Sequence, residues 1–243
     1  PMNRLEQIQY LIGVLLKEMP VYQTQAKDFP RDEQSQRRLL RSLMNVRPPL
    51  PLDVEFLAVQ DELLLAEREE KGVVDAAALP VSASDSRLIL WQGDITRLSV
   101  DAIVNAANSA LLGCFVPCHG CIDNAIHSAA GLQLRDACNR LMEQQGHPEP
   151  TGQAKLTAGY NLPARYVLHT VGPIVQGRVS RHDRELLASC YRSCLELAAE
   201  HDLQSVAFCC ISTGEFHFPN QEAAKIAVQT VKEFLQAPTS IRK

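Results

Sequence analysis

The sequence predicts an α/β fold, in which a mostly parallel sheet is covered by helices on both faces and preceded by a helical extension. Short apolar runs alternate with amphipathic helical windows after residue 86, the pattern of parallel strands joined by crossover helices. Before residue 85 the apolar spacing is helical. Polar and glycine-containing segments follow the apolar runs, and ligands in such folds bind outside the carboxyl ends of the strands. We therefore expect one functional site at that edge of the sheet.

The N-terminal third is predicted to consist of three helices and contains no catalytic motif. Leucine and isoleucine recur at helical intervals over residues 3–17, and leucine does so again over residues 32–44. A third window covers residues 52–71 and ends at a glycine. A polar connector follows, so we divide the chain into an extension, residues 1–85, and a main domain, residues 86–243.

The main domain is predicted to alternate strands with helices. A short helix is expected at residues 124–130, with Asp123 as its cap. His127 lies inside this helix and His169 inside a strand, so both are predicted to be core histidines. The predicted strands are residues 87–92, 101–104, 166–170 and 205–211, and the two long amphipathic helices are residues 183–201 and 220–236.

Composition limits the function classes. The 243 residues carry a formal net charge of −4, which argues against nucleic acid as the main partner because that role needs concentrated basic residues. The apolar runs are shorter than the roughly 20 residues of a membrane span. Four of the eight cysteines lie in apolar runs and no secretion signal precedes them. This favours a reducing, cytoplasmic location, with neither membrane nor nucleic acid as partner.

The segment at residues 113–121 is predicted to be the chemical centre. It reads Gly-Cys-Phe-Val-Pro-Cys-His-Gly-Cys and so contains three thiols and one imidazole, the ligands that zinc prefers. A catalytic zinc has three protein ligands and one open position, whereas a structural zinc takes a fourth ligand, which Cys118 could supply. The alternative is that these cysteines are small buried apolar residues.

Other polar residues follow the predicted strands. Ser212-Thr213-Gly214 can form a nest of backbone N–H groups for phosphate oxygens, although a plain strand-to-helix turn has the same pattern. Asn105 and Asn108 flank two alanines, where backbone and ligand can come close. Asp123, two residues after Cys121, could orient a zinc ligand or hold a sugar hydroxyl in addition to capping the helix.

Five motifs in the main domain together resemble the macrodomain family over roughly residues 87–236. Most macrodomains have a glycine run before the residue equivalent to Asp123, and here the cysteine and histidine loop replaces it. The pattern Cys-x4-His-x-Cys at Cys114, His119 and Cys121 resembles the zinc-dependent branch of the family, which also has a helical N-terminal extension. The motifs are WQGDIT at residues 91–96, VDAIVNAAN at 100–108, AIHSAAG at 125–131, HTVGP at 169–173 and ISTG at 211–214.

The resemblance implies a three-layer α/β/α macrodomain that binds ADP-ribose and removes it from mono-ADP-ribosylated proteins. One zinc per chain would be held by Cys114, His119 and Cys121 and would act as a Lewis acid. The bond cleaved would be a glycosidic ester to an acidic side chain. Asn108 and Asp123 would position hydroxyl groups of the reacting ribose and are the implied catalytic residues.

The resemblance also implies which residues contact the ligand. Asp94 would accept a hydrogen bond from the adenine amine, and Ile95 would contribute its backbone. Residues 212–216 would form the loop over the diphosphate and the distal ribose. The full implied set is Asp94, Ile95, Asn108, Cys121, Ile122, Asp123, Ser212, Thr213, Gly214, Glu215 and Phe216.

Two departures from the family pattern and two other function classes stay open. Cys118 is a thiol that the zinc pattern does not require, and a further core strand is expected beyond Lys243. One alternative function is a reader that binds ADP-ribose without cleaving it, with a zinc that only shapes the loop. A metal-dependent nuclease or phosphatase is disfavoured because thiolates suit neither magnesium nor two-metal sites.

Overall fold

The computed structural model describes all 243 residues, and its first third forms the three long helices that the apolar spacing predicts. Each begins directly after an asparagine or aspartate whose side chain accepts a hydrogen bond from the backbone N–H three residues further on. These N-caps determine where the helices start. The helices are α1, Arg4–Glu18, α3, Glu33–Val46, and α4, Val54–Lys71, with a short α2, Gln23–Ala26, after α1.

The extension has its own apolar core and also contacts the main domain. Side chains of α1, α3 and α4 form one buried cluster, which Leu132 joins from beyond residue 86. A two-residue strand β1, Val74–Asp75, pairs in parallel with β2, Leu98–Ser99. Backbone hydrogen bonding therefore crosses the predicted boundary at residue 85.

The central sheet has four strands in the order β4–β5–β3–β6. Strand β3, Ala102–Ala107, runs parallel to β5, Tyr166–Val171, and to β6, Val206–Ala207. Strand β4, Ala154–Ala158, pairs antiparallel with β5 at the edge. The mostly parallel sheet is thus confirmed, with one antiparallel edge strand.

Helices cover both faces of this sheet, which confirms the three-layer arrangement. Alternate residues of β3 point to opposite faces, so Ala102 and Val104 pack with α7 and α8, whereas Ile103 packs with α5 and α6. These helices are α5, Ile122–Ala130, α6, Leu132–Gln145, α7, Arg181–Glu200, and α8, Asn220–Leu235. No helix combines the length and the apolar character required to cross a membrane.

Two strand predictions are wrong. Residues 87–92 form no strand. The position beside β6 in the sheet is occupied by the last residues of the chain, because Val206 N–H donates a hydrogen bond to the Lys243 carbonyl at 3.0 Å. The run at residues 205–211 contributes only the two residues of β6 before the chain turns into the following loop.

The cap prediction for the short helix is also wrong. Helix α5 begins at Ile122 with Cys121 as its N-cap, because the Cys121 Sγ accepts a hydrogen bond from Asn124 N–H at 3.4 Å. Asp123 is therefore the second residue of the helix, and its side chain is directed into the core rather than onto the free N–H groups.

Candidate active site

Two loops that follow the parallel strands meet above the sheet. The loop after β3 contains the cysteines and His119, and the loop after β6 contains residues 212–216. His119 Nε2 lies 2.8 Å from Glu215 Oε1. The two predicted loops are therefore in direct contact, at the edge where the carboxyl ends of β3 and β6 lie.

Three side chains of the first loop form a cluster with metal-ligand chemistry. The ligand atoms of Cys114, His119 and Cys121 all lie within 4.8 Å of one another. Zinc bonds of about 2.0–2.3 Å place tetrahedral ligands roughly 3.3–3.8 Å apart, so small side-chain movements would close the cluster around an ion. His119 Nδ1 is buried without a hydrogen-bond partner. The Glu215 carboxylate 2.8 Å from Nε2 favours the tautomer protonated on that nitrogen, which leaves a lone pair on Nδ1, as where a carboxylate orients a metal-binding histidine.

Cys118 does not belong to this cluster. Its Sγ lies 3.3 Å from Ser42 Oγ and 3.7 Å from the Arg38 carbonyl, and its N–H donates to Asn45 Oδ1 at 2.9 Å. Those partners all lie on α3, so the thiol faces the extension. Its backbone φ of 52° is in the left-handed region, which is uncommon for a residue other than glycine.

The environment of Cys121 disfavours a thiolate unless a cation is present. Burial, assisted by the neighbouring Cys114 thiol and the Asp123 carboxylate, raises the pKa of Cys121 to about 11. A bound metal ion reverses such a shift because it deprotonates a coordinating thiol outright. The cluster therefore suits a cation and suits an isolated nucleophile poorly.

Asp123 is the buried carboxylate next to the cluster. It is 5% exposed and its Oδ1 accepts a hydrogen bond from Asn105 Nδ2 at 2.9 Å, with His127 Nε2 3.5 Å away. Burial raises the pKa of Asp123 to about 6, against the lowering effects of the Asn105 hydrogen bond and the Arg135 charge. The carboxylate is thus held in one orientation by the core beneath it.

The core behind Asp123 is a hydrogen-bonded network centred on His169, which is fully buried. Asn105 Nδ2 lies 3.2 Å from His169 Nδ1, and Thr157 Oγ1 lies 2.9 Å from His169 Nε2. Because an amide nitrogen can only donate, Nδ1 accepts and Nε2 carries the proton. Burial lowers the pKa of His169 to about 4, so the ring is neutral.

A second Cys/His group lies in this core but differs from the first. The ligand atoms of His127, Cys138 and His169 also lie within 4.8 Å of one another. Both ring nitrogens of His169 are already used by protein partners, which leaves no lone pair for a metal ion. We therefore interpret His169 as part of the network and not as a ligand, whereas both ring nitrogens of His127 are buried without a hydrogen-bond partner. The two histidines predicted to be core residues are both buried.

The family profile described as Macro domain matches residues 104–227, about half of the chain. The chain belongs to the macro domain family. A protein-ADP-ribose hydrolase of Treponema medium is 52% identical over 244 residues, which cover 100% of this chain and 93% of that protein.

Solved macro domains have a similar structure. The Trypanosoma brucei macrodomain in complex with ADP-ribose has a TM-score of 0.61 and 36% identity, covering 81% of this chain and 83% of that one. The Oceanobacillus iheyensis macrodomain with ADP has a TM-score of 0.56 and 45% identity, covering 61% of this chain and 76% of that one. The macrodomain prediction is thereby confirmed.

The residues expected to bind adenine lie where the extension meets the macro domain. Asp94 accepts hydrogen bonds from the Thr96 N–H and hydroxyl at 2.9 and 2.6 Å. Its other oxygen lies 2.9 Å from Lys71 Nζ, at the end of α4. Ile95 is buried in the core beside α5, so only its backbone is free for a ligand.

Asn108 is engaged by its own loop. Its Oδ1 accepts a hydrogen bond from Ala110 N–H at 3.1 Å, and its Nδ2 donates to the Gly113 carbonyl at 3.2 Å. The side chain therefore fixes the start of the cysteine loop. A role toward the ribose remains a prediction.

The backbone of both loops is strained. Four of the six non-glycine residues with positive φ lie in them, and such strain clusters at binding sites. Ser212 has φ 65°, and its hydroxyl is buried without a partner. Phe216 has no polar side chain, but its backbone carbonyl accepts a hydrogen bond from Val175 N–H at 2.8 Å. This hydrogen bond anchors the end of the loop. The four residues are Leu111, Cys118, Ser212 and His217.

The sequence reasoning missed Arg135. This side chain is 5% exposed and donates to the carbonyls of Leu112 and Cys114, at 2.6 and 3.3 Å. It also donates to carbonyls at the end of α3, including that of Asn45 at 2.8 Å, and its guanidinium lies 3.8 Å from the Phe115 ring centroid. Arg135 thus joins the cysteine loop to the extension. The helix that carries Arg135, α6, was not predicted from the sequence, so no signal pointed to this residue.

Proposed function

We propose that this macro domain is a zinc-dependent hydrolase that removes ADP-ribose from proteins modified on acidic side chains. One observation carries the proposal: Cys114, His119 and Cys121 converge within 4.8 Å immediately before the helix that presents the buried carboxylate of Asp123. The similarity to a protein-ADP-ribose hydrolase over the whole chain supports the hydrolytic part.

The three clustered side chains would hold the zinc. When bound, zinc supplies Lewis acidity toward the oxygen atoms of the distal ribose, and three protein ligands leave one coordination position for substrate. Glu215 would keep His119 in the tautomer whose Nδ1 lone pair is free. Cys118, held by α3, would leave the fourth position open.

The chain's own residues would orient the substrate. Asp123 Oδ1 is occupied by Asn105, which leaves Oδ2 to accept a hydrogen bond from a ribose hydroxyl. The first N–H groups of α5 and the turn at Ser212 can donate to diphosphate oxygens. Such pre-set donors and acceptors need little reorganisation during the reaction.

Hydrolysis would break the bond between C1″ of the distal ribose and the side-chain oxygen. Water would provide the hydroxyl of the released ADP-ribose and the proton of the regenerated carboxylic acid. Asn108, at the start of the cysteine loop, would position the ribose for this step.

One observation favours the reader as a second candidate. Both the oxygen and the nitrogen of the Asn108 amide make hydrogen bonds within its own loop. This is the pattern expected if Asn108 stabilises the loop and does not act on the substrate. A reader would bind ADP-ribose with the same loops and release nothing.

Single-turnover release of ADP-ribose from a protein modified on glutamate tests the proposal. We expect the zinc-loaded wild type to release it and Asn108→Ala to be about 100-fold slower, the usual effect of losing one positioned hydrogen-bond donor. Asn139→Ala, a matched amide on α6, should behave as wild type. Binding of ADP-ribose without release by zinc-loaded wild type, on several modified proteins, would favour the reader.

A further inference from the structure

A groove of about 900 Å³ runs between the extension and helix α5. Its walls come from α3 and α4 on one side, and from Ala125, Ser128 and Ala129 of α5 on the other. Cys118 of the cysteine loop lines one part of the groove, and Asp94 of the expected adenine site lines another. The groove therefore runs alongside the candidate ADP-ribose site and is not part of the metal cluster.

The groove is positively charged although the chain is acidic. Six basic and three acidic side chains line it, which gives a net charge of +3, whereas the whole chain has −4. A charge of opposite sign concentrated in a groove attracts acidic partners and raises their association rate. The basic residues are Arg37, Arg38, Arg41, Arg68, Lys71 and Arg97.

Each acidic side chain in the groove already has a basic partner. Glu67 accepts two hydrogen bonds from Arg37, at 2.7 and 2.9 Å, and Asp94 pairs with Lys71 at 2.9 Å. Glu70 pairs with Arg4, which lies outside the groove lining. The acidic residues therefore do not neutralise the remaining arginines.

Two arginines at the end nearest the cysteine loop lack an acidic partner. Arg38 is exposed, and its guanidinium makes no hydrogen bond or ion pair. Arg41 donates only to the neutral Asn124 Oδ1, at 2.8 and 3.3 Å. Asn124 belongs to the first turn of α5, and the Arg38 carbonyl accepts from the Cys118 thiol at 3.7 Å, so these two cations lie beside the cysteine loop.

We propose that Arg38 and Arg41 form a docking surface for acidic side chains that flank the modified residue of the protein substrate. The inference rests on the proposed function, because a modified aspartate or glutamate would bring its polypeptide to this end of the site. Guanidinium groups pair well with carboxylates and retain their charge at all physiological pH values. Free ADP-ribose would not need this surface.

An acidic polypeptide fits the groove better than a nucleic acid does. Ion pairs use Arg37 and Lys71, so the groove offers two unpaired arginines at one end and not the extended basic surface that a phosphate backbone needs. Carboxylates spaced along a peptide can meet the two unpaired arginines individually. RNA binding is an outcome that the experiment below distinguishes.

The test compares three substrates with zinc-loaded Arg38→Glu and wild type. They are a peptide ADP-ribosylated on glutamate with flanking aspartates, the same peptide with flanking asparagines, and a small acetyl ester of ADP-ribose. We expect Arg38→Glu to lower kcat/KM about five- to tenfold on the acidic peptide, mainly through KM, as for one or two partly exposed ion pairs. The other two substrates should be unaffected. Arg192→Glu, an exposed arginine of α7, controls for net charge.

Direct binding keeps the inference separate from turnover. The unmodified acidic peptide, labelled with a fluorophore, should bind wild type more tightly than Arg38→Glu, and added salt should weaken wild-type binding. Equal kcat/KM of both proteins on the acidic peptide, or an equal loss on all three substrates, would overturn the docking surface. Tighter wild-type binding of a 20-nucleotide RNA than of the peptide, lost in Arg38→Glu, would also overturn it. Absence of turnover on every substrate would contradict the proposed function alone.

Discussion

The loop at residues 113–121 and the core beneath it each contain a group of cysteine and histidine side chains, and the two groups differ in what their nitrogen atoms bind. His119 has one buried nitrogen without a partner and one held by a carboxylate. His169 has both nitrogens occupied by protein side chains. At similar distances, the loop group has a free nitrogen on its histidine, whereas the core group has none on His169 and keeps free nitrogens only on His127.

The comparison shows why proximity alone does not predict a ligand set. Cys118 is only three residues from Cys121, yet its thiol contacts Ser42 on α3. A metal site needs free lone pairs that point to one position, whereas in a stable core most buried polar groups are paired.

The largest effect is expected for the loop thiols. Cys114→Ser or Cys121→Ser should lower zinc affinity by more than about 100-fold, because even the residues that orient metal ligands contribute 10- to 100-fold. Serine at residue 121 can still cap α5, which keeps the helix start. Metal content by mass spectrometry and competition with a chelator measure the effect. Cys118→Ser is the matched control, and loss of zinc in that variant would contradict the ligand set.

In the core, His169→Ala should lower the free energy of unfolding by about 3–4 kcal/mol, because it leaves a cavity and unpaired polar groups on Asn105 and Thr157. Zinc content of the folded protein should not change. Urea denaturation provides the measurement. His182→Ala, at an exposed position of α7, should stay within about 0.5 kcal/mol of wild type. Zinc loss without destabilisation in His169→Ala would reverse the roles of the two groups.

The same core should make stability depend on pH. Burial lowers the pKa of His169 from 6.5 to about 4, so between these values only the unfolded chain takes up the proton. Stability should therefore fall as the pH decreases from 6.5 to 4, by up to about 3 kcal/mol for this residue. The stability of His169→Gln should lack this part of its dependence on pH. Asp123, whose pKa is raised, is present in both proteins, so its contribution cancels in the comparison. Parallel slopes would mean that His169 is already charged in the folded protein.

A smaller effect is expected for the carboxylate that orients His119. Glu215→Gln keeps a hydrogen-bonding side chain but removes the charge, so zinc affinity should fall about tenfold, at the low end for such residues. Chelator competition is the measurement, and Glu196→Gln, an exposed glutamate of α7, is the control. An unchanged affinity would mean that Glu215 only contacts the loop.

Periodicity predicted most of the fold because the helices and inner strands are amphipathic or uniformly apolar. Strand β4 was missed, since its sequence Ala-Lys-Leu-Thr-Ala has a weak alternation, and α6 was missed because polar residues interrupt its apolar face. Residues 87–92 have the composition of a strand but no free edge beside β6. Strand pairing is a long-range property, and local composition does not determine it.

The site was predictable to the level of loops and residue types. Density of thiols and imidazole singled out the cysteine loop, and the resemblance singled out residues 212–216. The contact of His119 with Glu215, the joining role of Arg135 and the orientation of Cys118 depend on how distant segments pack. None of these has a signature in the spacing of the residues.

The most direct test of the central claim compares zinc-loaded, zinc-stripped and zinc-reloaded wild type in single-turnover release of ADP-ribose from a protein modified on glutamate. ADP-ribose affinity is measured on the same three samples by calorimetry. We expect release to fall at least about 100-fold without zinc and to recover on reloading, while affinity changes less than about fivefold, because groups acting mainly in the transition state affect turnover more than binding. Equal release rates with and without zinc would contradict the claim and leave the metal a structural role.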